Sequence, residues 1–162
     1  MTLKYSGLVR RIEVTGPTRE GALARAAVHR YLVRLRLDRV AVSIVLCSDA
    51  AIRRLNARHR GVDAATDVLS FPAASVPGGL RQLGDLVVSL PTTRRRAREL
   101  GVSFEAELRL YLAHGLLHLL GHDHAKPRDA SRMAAAERTL LAAPGLVTRS
   151  LGATRPSRSR RR

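Results

Sequence analysis

His114, His118 and His124 stand at offsets 0, 4 and 10 in the segment His114-Gly115-Leu116-Leu117-His118-Leu119-Leu120-Gly121-His122-Asp123-His124. Residues four apart lie on one face of a helix, about one turn from each other, so His114 and His118 aim two imidazoles at a common point. Ten residues of helix cover roughly 15 Å along the axis, too far for a shared ion. The chain must therefore leave the helix and fold back before His124 joins the pair. Gly121 sits where that reversal is needed, because glycine takes left-handed backbone angles without steric cost and commonly ends helices. Three imidazoles with a fourth position left for water form the layout of a catalytic zinc site; structural sites are closed. The spacing thus points to one Zn2+ per chain, held by His114, His118 and His124.

The same ligand spacing occurs in the metzincin peptidases, where a glutamate directly after the first histidine serves as general base. This chain has Gly115 at that position. The ligand set is present and the peptidase base is missing, which points to chemistry that finds its base elsewhere. His122 follows His118 by four, yet the turn at Gly121 takes it off the helix, so it reads as a neighbour of the site. Asp123 has two readings, as acceptor for the free N–H of a ligand histidine or as a cap on the turn.

Composition narrows the classes. A chain of 162 residues with 45% hydrophobic content suits one domain. Tryptophan is absent and aromatics make up 3%, which argues against the base-stacking platforms of RRM and OB modules. The single Cys47 allows no intramolecular disulfide; it reads as a small core hydrophobe suited to a reducing compartment. No run reaches the roughly 20 apolar residues of a membrane span, and the N-terminal MTLKYSGLVRRIEV lacks a signal-peptide core, so a cytoplasmic location without membrane contact is expected. The formal net charge is +16, and only Lys4 and Lys126 among the 29 basic residues are lysine. A field of that sign draws polyanions, nucleic acid above all. A GC-rich genome would also favour arginine.

The elements that must carry the histidines follow from periodicity and caps. Strands are expected over 8–15, 40–47, 66–71 and 84–90, and 73–83, with Pro77-Gly78-Gly79, reads as an exposed hairpin loop. Helices are expected from Thr18 to about Arg36, from Ala50 to about His59 between Ser48-Asp49 and Gly61, and from Thr92 to Leu100 behind Pro91. A long helix from Phe104 to Leu120, capped by Ser103, carries His114 and His118. A last helix spans Pro127 to Ala142. The order predicts a single α+β, or mixed α/β, domain over 1–145: a sheet of about four strands, with the zincin-like metal helix laid on it through Leu108, Tyr111, Leu112, Leu116 and Leu119. Residues 146–162 hold six arginines and no acid from 149 onward and read as a disordered basic tail.

Three stretches, Leu55-Asn56-Ala57-Arg58-His59-Arg60-Gly61, Thr66-Asp67-Val68-Leu69-Ser70-Phe71-Pro72 and the histidine segment 114–124, together with Gly84-Asp85-Leu86-Val87-Val88-Ser89, make the chain resemble the YbeY family of metal-dependent endoribonucleases. The resemblance covers about residues 40–125 and leaves the arginine-rich tail outside. It implies zinc on His114, His118 and His124, and a functional role for Arg60. It also implies cleavage of single-stranded RNA in maturation of the small-subunit ribosomal RNA 3′ end and in ribosome quality control. The small ribosomal subunit and its associated proteins would then be partners. By its chemistry Arg60 fits either a planar, bidentate phosphate contact or the ordinary role of a helix-end cation complementing the dipole. Asp67 and Ser70 are expected on the cleft floor, His59 at the surface, and Arg94, Arg95, Arg96 and Arg98 on a solvated helix face or, given the basic body, an RNA track. Two rival readings use the same residues: a metallopeptidase, and a non-catalytic ribosome-assembly protein stapled by zinc.

Overall fold

The computed structural model describes residues 9–74 and 79–142; the basic tail over 146–162 lies outside them. Val40–Cys47 is apolar at nearly every position, the pattern of a strand buried on both faces, and it forms the central β2. Around it lie β1 (Arg10–Thr15), β3 (Val68–Pro72) and β4 (Arg81–Ser89) in the order β1-β2-β4-β3. β1 and β4 run parallel to β2, whereas β3 pairs antiparallel with β4. The four-stranded mixed sheet expected from sequence is present, and β4 slots between β2 and its own hairpin partner.

β4 starts earlier than the expected loop over 73–83 allows: Arg81, Gln82 and Leu83 already belong to the strand. The reason is an irregularity. Ala41 pairs with Gln82 and Val42 with Gly84, so Leu83 is bulged. The bulge breaks the simple alternation and lets Leu83 share the main core with Leu86 and Val88.

Among the described residues there are five helices: α1 (Thr18–Arg34), α2 (Asp49–Arg60), α3 (Leu90–Leu100), α4 (Phe104–Leu119) and α5 (Pro127–Leu141). Ile44 and Leu46 of β2 face the main core, with Leu112, Leu116 and Leu117 of α4, Leu32 of α1, and Met133 and Leu140 of α5. The other face of the sheet carries a small cluster of Ile52, Leu69 and Val87, flanked by Val45, Cys47 and Leu55. Cys47 thus packs at the edge of that cluster, half-buried. A polar clasp fixes the start of α2: Ser48 Oγ accepts from the Ala51 amide, and Asp49 accepts from the Ser89 and Thr92 hydroxyls at the start of α3. These bonds, Ser89 first, hold the Asp49 carboxyl below its ordinary pKa. The clasp also sets where the far end of α2, with Arg60, must fall.

α4 lies close against the sheet at Gly115. At Gly115 a Cβ would lie 2.9 Å from Leu86 Cδ2, 3.1 Å from Ser70 Oγ and 3.2 Å from Val68 Cγ2. The five residues expected to seat the helix, Leu108, Tyr111, Leu112, Leu116 and Leu119, are all buried, and the Tyr111 hydroxyl donates to buried Glu107 at 2.6 Å. Gly115→Val should lower stability by about 1–3 kcal/mol through overpacking, read as a shift in the urea denaturation midpoint. An unmoved midpoint would mean that helix and sheet are not in this contact.

Candidate metal centre

His114 and His118 sit one turn apart on α4, and their Nε2 atoms are 3.1 Å from each other. The helix then ends as required. Gly121 takes φ +89°, its amide bonds the His118 carbonyl at 3.0 Å, and the His122 amide bonds the Leu117 carbonyl at 3.0 Å. That pair of bonds is a Schellman stop. Asp123 completes the reversal, its Oδ1 accepting from the amides of His124 at 2.6 Å and Ala125 at 3.2 Å. Of the two readings for Asp123, the turn cap is the one found, and these amide bonds hold its carboxyl below the ordinary range.

The reversal returns the His124 ring to 5.6 Å from that of His114 and 5.0 Å from that of His118, centroid to centroid. One ring nitrogen from each of the three histidines lies within 4.8 Å of the others. His122 is not part of the group. Nitrogens bound at about 2.0–2.1 Å to one tetrahedral zinc are roughly 3.3 Å apart, so the 3.1 Å between the Nε2 atoms of His114 and His118 fits a shared ion. Burial, and next the charges of His114 and His124, push the His118 pKa below its ordinary value. That favours the neutral imidazole a metal requires. The donor set therefore suits a borderline divalent ion such as zinc.

The triad opens into a cleft of about 480 Å³ that Arg60, Asn56, Asp67 and Ser70 also line. Arg60 reaches it as the last residue of α2, stopped by Gly61 in the left-handed conformation. Asn56, buried, donates to the Ala64 carbonyl at 2.8 Å and pins the loop after α2. Asp67 accepts from the Val68 amide at 2.7 Å and from the Thr66 hydroxyl at 3.2 Å. Ser70 donates to the Gly115 carbonyl at 3.2 Å, which couples the cleft floor to the metal helix. His59 is exposed and edge-on to Phe71, and it does not line the cleft. The arginines of α3 are largely engaged elsewhere: Arg94 pairs with Glu20, Arg95 with Asp49 and Arg96 with Glu99.

One site neighbour escaped sequence reading. Glu137 of α5 is fully buried, and its Oε1 accepts from His114 Nδ1 at 2.6 Å. The signal was there: Met133, Glu137 and Leu140 follow helical 0-4-7 spacing, which puts a carboxylate in an apolar stripe.

Sheet and triad together define an α/β protein with a three-imidazole cage of metal-binding spacing at the mouth of an arginine-bearing cleft. Comparison with known proteins narrows that class. Residues 13–145 match the family model described as Endoribonuclease YbeY. The Endoribonuclease YbeY of Myxococcus xanthus (strain DK1622) is 57% identical over 124 residues, covering 75% of this chain and 42% of that relative. That of Anaeromyxobacter sp. (strain Fw109-5) is 50% identical over 135 residues, 83% of this chain and 70% of the relative. The chain thus spans less than half the length of the first relative and about two thirds of the second. A solution structure of a Thermotoga maritima protein superposes with a TM-score of 0.58 at 28% identity, covering 82% of this chain and 87% of that one. The chain belongs to the YbeY endoribonuclease family.

The lowered His118 pKa carries a stability consequence. Between the depressed folded value and the ordinary histidine value of about 6.5, the unfolded chain binds a proton that the folded chain does not, so stability falls as pH is lowered through that window. Metal-free protein should be less stable near pH 5.5 than near pH 7.5 in urea denaturation, and His118→Gln should shrink the difference. An equal pH difference in both proteins would show that His118 contributes nothing to it.

Proposed function

We propose that this chain is a zinc-dependent endoribonuclease that cleaves single-stranded RNA, with a role in maturing the 3′ end of small-subunit ribosomal RNA and in ribosome quality control. The observation that carries the reading is the meeting of three convergent imidazoles and Arg60 in one cleft. The relatives' name, endoribonuclease, supports it. Bound zinc would supply Lewis acidity towards a phosphoryl oxygen and bring the pKa of a water molecule to about 7.

The chain's own residues supply the rest. Phosphodiester cleavage builds negative charge on the phosphoryl oxygens, and the planar guanidinium of Arg60 offers two parallel N–H donors to that charge. RNA brings a 2′-hydroxyl beside its phosphate, so a protein base next to the first ligand is less needed than in peptide hydrolysis. Gly115 leaves the site without the metzincin base, and a side chain at that position would press on Leu86, Ser70 and Val68. Arg54 and Arg58, exposed on α2 and without ion-pair partners among the described residues, extend positive charge from Arg60 along the helix. That supports a polyanionic substrate. Among the described residues no helix is long and apolar enough to cross a membrane; the cytoplasmic place beside the small ribosomal subunit and its proteins is part of the proposal.

The test is a ribonuclease assay on single-stranded RNA with and without a chelator. His114→Ala should lose zinc and cleavage together while keeping its circular dichroism spectrum. Arg60→Ala should keep zinc and lose roughly 10²–10³ in kcat, the usual effect of removing one charge-stabilising donor, and Arg60→Lys should recover little because it cannot act as a fork. Full cleavage by His114→Ala would sink the reading.

A further inference from the structure

We propose that Glu137 is a positioning residue for the metal cage: by accepting from His114 Nδ1, its carboxylate turns His114 Nε2 towards His118 and His124. The inference rests on the reading that the triad holds zinc, and it brings α5, outside the histidine segment, into the site.

Three observations converge. First, Glu137 has 0% exposure between Met133 and Leu140, also buried, on the apolar face of α5. A carboxylate is almost never buried without compensation, because leaving water costs it several kcal/mol by rough estimate. A methionine or leucine would cover the same core at no such cost. The choice of a carboxylate here therefore asks for a reason beyond packing. Second, Glu137 Oε1 is 2.6 Å from His114 Nδ1, a short, charge-assisted hydrogen bond. An imidazole has two distinct nitrogens, and the bond made by one decides what the other offers. With Nδ1 donating to Glu137, Nε2 is left with its lone pair. Third, that lone pair faces the right way. His114 Nε2 is the atom 3.1 Å from His118 Nε2, and the three histidines each offer one ring nitrogen within 4.8 Å of the others.

The three histidines are thus held by unlike means. His118 depends on burial and on its place one turn along α4, and His124 on the turn capped by Asp123. His114 depends on a side chain from another helix. Carboxylates in this position orient the ligand ring, and their loss typically costs 10–100-fold in metal affinity.

Glu137→Met and Glu137→Gln separate positioning from packing. Met fills a similar volume without an acceptor; Gln keeps an acceptor oxygen and loses the charge. Zinc affinity of the metal-free full chain is measured by competition with a chromophoric chelator, and thermal unfolding of the metal-free form alongside. We expect Glu137→Met to bind zinc roughly 10–100-fold more weakly and Glu137→Gln to fall between it and the wild type. The metal-free melting temperature of Glu137→Met should fall, because losing one partner leaves the His114 Nδ1–H buried and unpaired, so the weakened zinc binding is the readout that marks positioning. A Co2+ absorption spectrum altered in Glu137→Gln would add support from the geometry of the ligands. Variants that bind zinc within twofold of the wild type, with only the metal-free melting temperature lowered, would make Glu137 a packing residue and overturn the inference. A wild-type chain that takes up no zinc would overturn this reading and the proposed zinc dependence together. Equal binding by wild type and variants overturns the positioning role alone.

Discussion

Ten of the sixteen residues of α4 are buried, since the helix touches β3, β4, α1, α3 and α5. A helix enclosed to that degree is apolar around most of its circumference, and each polar group it keeps must find a partner. Glu107 meets the Tyr111 hydroxyl, and His114 meets Glu137. The helix is partly exposed in its first turn, at Phe104, Glu105 and Ala106, and again towards its C-terminal end, where His114 and His118 face the cleft. The large burial of Leu108, Leu112 and Leu116, each worth about 1.5–3 kcal/mol, holds α4 in place. Its rotation about its own axis, and so the direction of His114 and His118, is therefore set by the core.

That enclosure explains what could be read from the chain alone. Spacing of the histidines, the cap at Ser103 and the stop at Gly121 are local features, and the structure brings the three rings together accordingly. The sheet's strand count was equally local. Strand order was not, because β4 could only be placed between β2 and β3 by long-range pairing, and the bulge at Leu83 hides the start of the strand from its alternation pattern. Charge was the least legible property. Arg94, Arg95 and Arg96 look like a basic run in sequence, yet each has an acidic partner, two of them on other helices. Arg53 is likewise matched with Asp63 at 2.7 Å, while Arg54 beside it has no ion pair among the described residues.

The cleft draws its walls from distant parts of the chain. Its metal side comes from α4 and the turn after it, its floor from β3, and its cationic side from the end of α2. The Asp49 clasp joins the starts of α2 and α3, the Asn56 bond pins the loop leaving α2, and the Ser70 bond ties β3 to the backbone of α4. Each hydrogen bond is modest alone, about 1 kcal/mol. Together they fix the distance between the histidine triad and Arg60.

The histidine segment contains two glycines whose demands are opposite in kind. Gly115 has an ordinary helical backbone and no room; Gly121 has open space around it and a φ of +89°. Volume governs the first and handedness the second. A mirror-image alanine would suit position 121, where its methyl group points away from the clash that an L-residue meets at positive φ, and it would reduce the freedom of the unfolded chain. At position 115 the obstacle is the sheet surface, where Leu86, Ser70 and Val68 crowd the methyl group of an L-residue. The motif therefore records a chiral constraint and a steric one with the same letter.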